Sequence, residues 1–176
     1  FFMPSEYTHI IHPFPPFYAS DSRILILGSL PSVKSRENGF FYGNKQNRFW
    51  KVLSSIYSDS EPATIDDKKS FLRRHRIALY DSIRACSIKG SSDASITDVE
   101  PSKTEIAEIL AKSFVTVCIL NGKTAAKYFY KYQPAVLKNK SGAPVKIFEM
   151  PSTSPANATF TLPRLIESWK EAFLEV

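Results

Sequence analysis

Short apolar runs alternate with stretches of helical periodicity in this chain, and this alternation constrains the fold more than any other feature. Residues 23–28 form an apolar run that ends at a glycine, which is typical of a buried parallel strand. Residues 114–120 and 145–150 form similar runs, and residues 77–80 form a weaker one. Strands that alternate with helices predict a parallel sheet covered on both faces. We therefore expect a single-domain, three-layer α/β/α fold with a central four-stranded parallel sheet.

Helical periodicity fills most of the intervals between these runs. From residue 47 onward, apolar side chains recur at the spacing of one helix face, from Phe49 to Tyr57. The other predicted helices begin at Asp66, at Ser102, after Gly122 and at Thr161. The sequence Ser102-Lys-Thr-Glu105 has the pattern of a capping box at a helix start. Residues 87–97 are mostly polar and are expected to form a loop.

Length and composition restrict the class of protein. The 176 residues suffice for one domain, in which residues 1–22 are expected to be an arm packed on an α/β domain of residues 23–176. With 23 Lys and Arg against 17 Asp and Glu, the formal net charge of +6 favours polyanionic partners. Two cysteines exclude a four-cysteine iron–sulfur cluster, and neither CxxC nor HExxH occurs, so we expect no metal and no cofactor. The apolar runs are too short to cross a membrane and no cleavable signal is recognised, so a cytoplasmic protein is expected.

The loops that follow the strands form the candidate ligand site, because ligands of parallel sheets bind beyond the carboxyl ends of the strands. The first of these loops contains Gly28-Ser-Leu-Pro-Ser32, followed by aromatic and amide residues that include Tyr42 and Asn44. Aromatic faces can stack a planar ring, and amides can read its edge. Asn47 and Arg48 lie at a helix start, where free backbone N–H groups can hold an anion. Asn47 can equally be a helix cap.

Three other segments bear on phosphate binding. The loop Met150-Pro-Ser-Thr-Ser-Pro-Ala-Asn157 offers hydroxyl and backbone donors, and its alternative interpretation is a proline-limited connection. Asn121-Gly-Lys-Thr124 is similar to the end of a P-loop, but Val117 occupies the position of the first glycine, which argues against nucleotide hydrolysis. The basic cluster within residues 68–76 is either a solvated helix face or a phosphate-contacting face.

Taken in order, these motifs resemble the uracil-DNA glycosylase superfamily over roughly residues 23–174. The branch that they resemble most is the mismatch-specific one, and within it the hypoxanthine (deoxyinosine) DNA glycosylases. Ile24 to Ser32 is similar to the first strand and first catalytic motif, and Asn47-Arg-Phe-Trp50 matches the NRFW helix start. Met150 to Ser154 corresponds to the second motif, a Pro-Ser loop. The middle loop of the deoxyinosine branch is matched by Asp81, Ser91, Asp93 and Ile96.

The resemblance implies a DNA repair glycosylase that flips a nucleotide and hydrolyses the N-glycosidic bond of a deaminated base, hypoxanthine first and uracil second. In the mismatch-specific enzymes an Asn of the first motif positions the attacking water, and Leu30 replaces it here. The deoxyinosine branch uses an Asn near the NRFW start, which makes Asn47 the catalytic candidate. Tyr42 takes the place of the stacking aromatic, and Asp81 offers polar support.

The resemblance also implies sets of contact residues. The expected base-binding residues are Gly28, Ser29, Leu30, Pro31, Ser32, Phe41, Tyr42, Asn44 and Asp81. The expected DNA-binding residues are Arg48, Ser152, Thr153, Ser154 and Asn157. The implied partner is double-stranded DNA with a deaminated base, bound by a monomer, and no membrane partner is expected. Three alternatives stay open: a non-catalytic nucleic-acid-binding protein on the same fold, a G:T/U mismatch-specific glycosylase, and a small-molecule α/β enzyme acting on a free base or nucleotide.

Overall fold

A computed structural model describes residues 6–176 of the chain. Its strands are β1 (Thr8–Ile11), β2 (Ile24–Gly28), β3 (Ile77–Asp81), β4 (Ile83–Ile88), β5 (Thr97–Pro101), β6 (Val117–Asn121) and β7 (Lys146–Met150). Its helices are α1 (Val33–Asn38), α2 (Phe49–Tyr57), α3 (Ile65–Arg74), α4 (Lys103–Ala111), α5 (Lys123–Tyr132) and α6 (Leu162–Phe173), with a 3₁₀ turn at Asp93–Ser95. The four predicted strands and five predicted helices all occur among these elements.

The four predicted strands form one parallel sheet in the order β3-β2-β6-β7. Every residue of β2 is buried, as expected of a central strand covered on both faces. The register places Gly28 beside Asp81 and Asn121 beside Met150, so the carboxyl ends of the strands lie at the same edge. The predicted α/β fold with a four-stranded parallel sheet is confirmed.

Amphipathic helices close the main core. α6 places Leu165, Trp169 and Ala172 in the interior, each of them 0% exposed, and packs against α2. Burial of one large apolar side chain stabilises a fold by roughly 1.5–3 kcal/mol, so this stripe holds α6 firmly. The Trp169 indole N–H also donates to the Pro151 carbonyl at 2.9 Å. Helix α6 is thereby tied to the loop that follows β7.

The structure contains a second sheet that the sequence does not predict. β1, β4 and β5 pair in an antiparallel manner in the order β1-β4-β5. The predicted loop over residues 87–97 is confirmed for residues 89–96, but its two ends are the last residues of β4 and the first residue of β5. The signal of the second sheet is weak because β5 is an edge strand whose residues are all exposed or half-buried. β4 follows β3 after Ser82 alone, so no loop composition marks the boundary.

The segment that precedes β2 packs against the rest of the chain. β1 pairs with β4 from Thr8 opposite Ile88 to Ile11 opposite Ala85. Phe17 exchanges backbone hydrogen bonds with Leu79, at 3.0 and 2.8 Å. Residues 1–5 of the expected arm lie outside the described residues, and the division of the chain at residue 22 stays a prediction.

One helix start differs from its prediction. Ser102 precedes α4, but its side chain makes no capping hydrogen bond, so the predicted capping box with Glu105 is wrong. The backbone of Ser102 has ψ 43° instead of the extended conformation of a capping residue, and its hydroxyl is buried without a partner among the described residues. A complete capping box occurs instead at α3, between Thr64 and Asp67. Over residues 6–176, no helix combines the length and apolar character needed to cross a membrane.

Candidate active site

The carboxyl edge of the parallel sheet gathers polar side chains from separate parts of the chain. Gly28 ends β2, Asp81 ends β3 and Asn121 ends β6. The loop after β7 brings Thr153 to the same place, where the Asn121 side chain bonds it twice. This is the edge at which parallel sheets bind ligands, and it is where the sequence predicts the site.

A chain of hydrogen bonds links these loops. The Thr153 hydroxyl donates to Asn47 Oδ1 at 2.8 Å and accepts a bond from Asn121 Nδ2 at 3.0 Å. Asn121 Nδ2 also donates to the Tyr42 hydroxyl at 3.2 Å, and Asn121 Oδ1 accepts the Thr153 backbone N–H at 3.0 Å. Thr153 is 0% exposed, so the loop after β7 is fixed to the helix α2 start through buried bonds.

The orientation of the Asn47 amide follows from its donors. Asn47 Oδ1 accepts the Phe49 backbone N–H at 3.0 Å as well as the Thr153 hydroxyl. A backbone N–H can only donate, so the atom facing it must be the oxygen. The Asn47 amide nitrogen has no hydrogen-bond partner within residues 6–176. Asn47, one residue before the N-cap Arg48, therefore satisfies the free N–H of the first residue of α2 with its oxygen and leaves two N–H donors available at the site.

Tyr42 is held at the site by several independent contacts. Its backbone lies in the left-handed region at φ 53°, which is uncommon for a residue other than glycine. The Trp50 indole N–H donates to the Tyr42 carbonyl at 3.1 Å. The Tyr42 ring stacks on Phe49 with centroids 3.7 Å apart and planes 10° apart. Burial, and after it the charge of Asp81, raises the pKa of Tyr42, so the phenol stays protonated and can donate.

Asp81 is the carboxylate of this edge. Its Oδ2 lies 2.7 Å from His12 Nε2, and both side chains are almost fully buried. Its Oδ1 lies beside Gly28: a Cβ added to Gly28 would be 2.5 Å from Oδ1 and 3.2 Å from the Tyr42 hydroxyl. Glycine is therefore required at position 28 for the close approach of Asp81 and Tyr42 to the end of β2.

Arg48 organises the loop after β7. Its guanidinium donates to the backbone carbonyls of Ser154 at 2.8 Å and Asn157 at 3.1 Å, and also to that of Phe160. Its backbone N–H donates to the Thr153 carbonyl at 3.1 Å. Charge-assisted bonds of this kind contribute about 1.5–3 kcal/mol each, so Arg48 fixes the course of the loop.

The structure corrects part of the predicted site. Phe41 is 2% exposed and packs among Phe14, Phe40 and Tyr80, so it belongs to the core and does not offer a face to a base. Thr153 is 0% exposed, so its predicted DNA contact is replaced by a role in holding the loop. Arg48 is half-buried and also holds the loop, and its predicted DNA contact stays a prediction. Leu30 packs against the apolar cluster that contains Ile83 and Tyr128, which explains why a nonpolar residue stands there.

The remaining predicted residues lie at the same edge of the sheet, and their contacts with DNA stay predictions. Ser32 caps α1, since its hydroxyl accepts the Ser35 N–H at 3.2 Å. Ser152 and Ser154 accept backbone N–H groups of their own loop, at 3.1 and 3.2 Å, and each keeps a hydroxyl proton to donate. Asn157 is half-buried and donates to the Ser152 carbonyl at 3.0 Å. The other members of the predicted set are Ser29 and Asn44, both half-buried, and Pro31, which is buried.

The basic cluster on α3 lies over aromatic side chains. The ammonium of Lys69 is 5.6 Å from the Phe40 ring, and the guanidinium of Arg73 is 5.3 Å from the Phe17 ring. Arg74 pairs with Asp59 at 2.8 Å. These cation–π and ion-pair contacts give several of the basic side chains a structural role. A phosphate contact on this face stays a prediction.

Two residues of the site, Asn121 and His12, are not among those predicted from the sequence. Asn121 belongs to a segment similar to the end of a P-loop, but an amide at the carboxyl end of a predicted central strand is itself a signal for a ligand site. His12 lies in the N-terminal segment, where no local pattern indicates a contact with β3. Its pairing with Asp81 arises from tertiary packing alone.

The fold and this edge define an α/β protein with a polar, aromatic-lined site at the end of a parallel sheet. The chain belongs to the uracil DNA glycosylase superfamily, whose family model matches residues 15–174. A hypoxanthine DNA glycosylase of Methanosarcina acetivorans is 32% identical over 161 residues, covering 91% of this chain and 96% of the relative. The corresponding protein of Methanosarcina barkeri is 32% identical over 136 residues, covering 74% of this chain and 85% of the relative.

A solved structure agrees with this assignment. The solution NMR structure of a proposed uracil DNA glycosylase from Methanosarcina acetivorans superposes with a TM-score of 0.72 at 30% sequence identity. The superposition covers 91% of this chain and 94% of the other. The family resemblance expected from the motifs is thus confirmed by sequence and by structure.

Proposed function

We propose that this protein is a monofunctional DNA glycosylase that removes deaminated bases from double-stranded DNA, with hypoxanthine as its principal substrate. Membership of the superfamily supports the reaction, and the two relatives named as hypoxanthine DNA glycosylases support the substrate. The net charge of +6 favours a polyanionic partner. The proposed acting unit is a monomer.

The proposed reaction is hydrolysis at a flipped nucleotide. The bond between C1′ of the sugar and the ring nitrogen of the base breaks, and its electron pair leaves with the base. The oxygen of a water molecule adds to C1′, and its proton is released and ends on the departing base. The protein must extrude the nucleotide, accept the base in a fitted pocket and place the water.

The geometry of the Asp81 carboxylate is the observation that most supports the proposed class of substrate. Its Oδ2 is engaged by His12, which leaves Oδ1 as an acceptor beside Gly28. Hypoxanthine, xanthine and uracil each carry a ring N–H on the edge that pairs in the duplex. Adenine and cytosine, the parents of hypoxanthine and uracil, carry a lone pair at the same position. A fixed acceptor there favours hypoxanthine over adenine and uracil over cytosine, because opposing it to a lone pair leaves two acceptors unpaired. It does not distinguish these bases from guanine or thymine, which carry the same ring N–H.

Asn47 is the proposed water-positioning group. Because its oxygen is engaged by Phe49 and Thr153, it can offer only N–H donors. A donor holds water through the water's oxygen and orients it, but it cannot remove a proton. This matches a reaction in which the base departs early and the water adds to an oxocarbenium-like sugar, which needs little general-base assistance. Leu30 cannot orient water and packs on apolar neighbours, so the role falls to Asn47.

Cleavage of modified duplexes tests the proposal. Oligonucleotide duplexes that carry hypoxanthine, uracil, xanthine or mispaired thymine are incubated with excess protein and then treated with alkali. Strand cleavage that is fastest at hypoxanthine and requires the alkali step is the expected result. Cleavage without alkali contradicts a monofunctional enzyme, and cleavage fastest at mispaired thymine or uracil favours a mismatch-specific glycosylase.

The replacement of the first-motif Asn by Leu30 favours a second candidate, a nucleic-acid-binding protein without catalysis on the same fold. This candidate predicts a gel shift of the modified duplex with no cleavage of any base. Release of a free base from nucleosides, without any DNA binding, favours a small-molecule enzyme instead. A mass measurement in solution separates the proposed monomer from an oligomer.

A further inference from the structure

His12 and Asp81 form a buried pair that joins the N-terminal segment to the candidate site. His12 Nε2 and Asp81 Oδ2 are 2.7 Å apart, and the side chains are 1% and 6% exposed. The pair lies 69 residues apart in sequence, and His12 precedes the stretch of residues 15–174 that matches the family model. The segment before the matched region therefore supplies a group that contacts a candidate substrate-binding side chain.

The His12 ring has one well-defined position. It packs against Tyr80 with centroids 4.4 Å apart and against the edge of Phe14 at 4.8 Å. Its backbone N–H donates to the Arg84 carbonyl at 2.8 Å, next to the pairing of β1 with β4. A ring fixed on these sides cannot leave Asp81 without disturbing the packing.

The surroundings of His12 also select its tautomer. Nδ1 is buried and has no hydrogen-bond partner among residues 6–176. A proton on Nδ1 would be a buried donor without an acceptor, whereas a proton on Nε2 points at the Asp81 carboxylate. His12 therefore donates from Nε2, and Asp81 accepts with Oδ2.

We infer that His12 is a positioning residue that holds Asp81 as a fixed acceptor toward the flipped base, and so sets the preference for bases with a ring N–H. This inference rests on the proposed glycosylase function. Without the His12 donor, the Asp81 carboxyl is free to rotate, so Oδ1 no longer faces the ring N–H in a fixed position. A carboxyl that has rotated away from the base edge also no longer opposes an acceptor to the lone pair that adenine presents in place of the N–H. Loss of His12 is therefore expected to reduce the discrimination between hypoxanthine and adenine.

The test compares variants that separate the donor from the ring. His12→Phe keeps an aromatic ring among Tyr80 and Phe14 but removes the donor. His12→Gln removes the ring but places an N–H donor at a similar distance along the side chain. His9→Phe is the matched control, because His9 lies in the same segment but is exposed.

The measurement is equilibrium binding to duplexes with an uncleavable 2′-fluoro nucleotide of hypoxanthine or of adenine, together with single-turnover cleavage of hypoxanthine. His12→Phe is expected to reduce the ratio of the two affinities, and the cleavage rate, by about tenfold or more, because a displaced acceptor no longer meets the ring N–H in the productive geometry. His12→Gln should restore most of both losses, and His9→Phe should change neither. If His12→Phe does not fold, His12→Gln is compared with His12→Asn, whose shorter amide cannot reach Oδ2.

The outcomes distinguish this inference from the function on which it rests. If the unmodified protein cleaves no deaminated base, the proposed function is wrong. If it cleaves hypoxanthine but the ratio of affinities stays unchanged in a folded His12→Phe variant, the function stands and the positioning role is overturned. Equal losses in His12→Phe and His12→Gln, without recovery by the amide donor, also overturn it.

Discussion

Asn47 Oδ1 accepts a hydrogen bond of 2.8 Å from the Thr153 hydroxyl, which lies 106 residues away in sequence. This bond joins the start of α2 to the loop after β7. The same oxygen accepts a bond from the Phe49 backbone N–H, so one atom serves both the start of α2 and the site. The two interpretations of Asn47 that the sequence leaves open are therefore compatible. The oxygen has the structural role, and the nitrogen is available for chemistry.

This division of roles predicts different outcomes for two substitutions of Asn47. Asn47→Ala removes both ends of the amide, so stability should fall by about 1 kcal/mol through the lost cap and the single-turnover rate by roughly 100-fold. Asn47→Asp keeps an oxygen for Phe49 and Thr153, so the melting temperature should hold while the rate still falls. Melting curves and single-turnover cleavage check both. A normal rate per folded molecule in Asn47→Asp would remove Asn47 from the mechanism.

The sheet was predictable because its signal is local. The run that ends at Gly28 is buried at every position of β2, and such continuous apolar runs are typical of central parallel strands. The site was predictable to the extent that loops after strands must meet at one edge. The capping pattern at Ser102 gives a wrong prediction of a capping box, because the backbone there does not adopt the conformation that a cap requires.

The remaining parts of the site depend on distant contacts. Nothing near His12 in sequence indicates that it meets Asp81, and nothing in the NRFW motif indicates that Arg48 turns inward to three carbonyl groups. Phe41 and Tyr42 are adjacent aromatic residues, yet one is in the core and the other at the site. The left-handed backbone of Tyr42, which no local residue pattern signals, accompanies this difference.

The contacts of Arg48 predict that it holds the loop and does not bind phosphate. Arg48→Ala should lower the melting temperature and speed amide hydrogen exchange or proteolysis in residues 151–161, because three carbonyl groups lose their donor. The dependence of DNA affinity on salt should change little. Lys123→Ala is the matched control, because it also removes one positive charge but at an exposed position of α5. A fall of the salt slope by about 0.9 in Arg48→Ala would mean that Arg48 contacts a phosphate directly.

Tyr42 is predicted to act on the flipped base more than on the rest of the DNA. One ring face is covered by Phe49, so a base can stack only on the other. Tyr42→Ala should reduce single-turnover cleavage by about 10- to 100-fold, since stacking contributes about 1–3 kcal/mol per base, while binding of undamaged duplex stays nearly unchanged. Tyr42→Phe should keep most of the rate. Tyr130→Ala, at a site 57% exposed on α5, controls for loss of an aromatic ring. Parallel losses in both assays would make Tyr42 structural.

Asp59, in the connection between α2 and α3, predicts a pH dependence of stability. Hydrogen bonds from His75 and then from Arg74 lower the pKa of Asp59 from 3.8 to about 2. A carboxylate whose pKa is lower in the folded state stabilises it above the unfolded pKa, and the contribution disappears as pH falls through the folded pKa. The difference in melting temperature between the protein and Asp59→Asn should therefore be large near pH 5 and shrink progressively as the pH falls from about 5 toward 1. Glu61→Gln is the neighbouring control, and a difference that is as large at pH 2 as at pH 5 contradicts the assignment.

Gly28 is predicted to be irreplaceable at the site for a steric reason. A Cβ at this position would lie 2.5 Å from Asp81 Oδ1 and 3.2 Å from the Tyr42 hydroxyl, and the Gly28 backbone is not left-handed, so only the clash opposes a side chain. Gly28→Ala should move the carboxylate and lower the single-turnover rate on hypoxanthine by about tenfold or more, because the shifted acceptor misses the ring N–H.

The matched control for this clash is Gly39→Ala. At Gly39 an added Cβ meets nothing within 4 Å, but φ is +77°, so alanine is strained by its backbone alone. This variant should lose about 1 kcal/mol of stability and keep its rate per folded molecule. Cleavage kinetics and melting curves of the two variants, measured side by side, separate backbone strain from displacement of Asp81. A Gly28→Ala protein that cleaves hypoxanthine at the normal rate would show that the Asp81 carboxylate does not contact the base from this position.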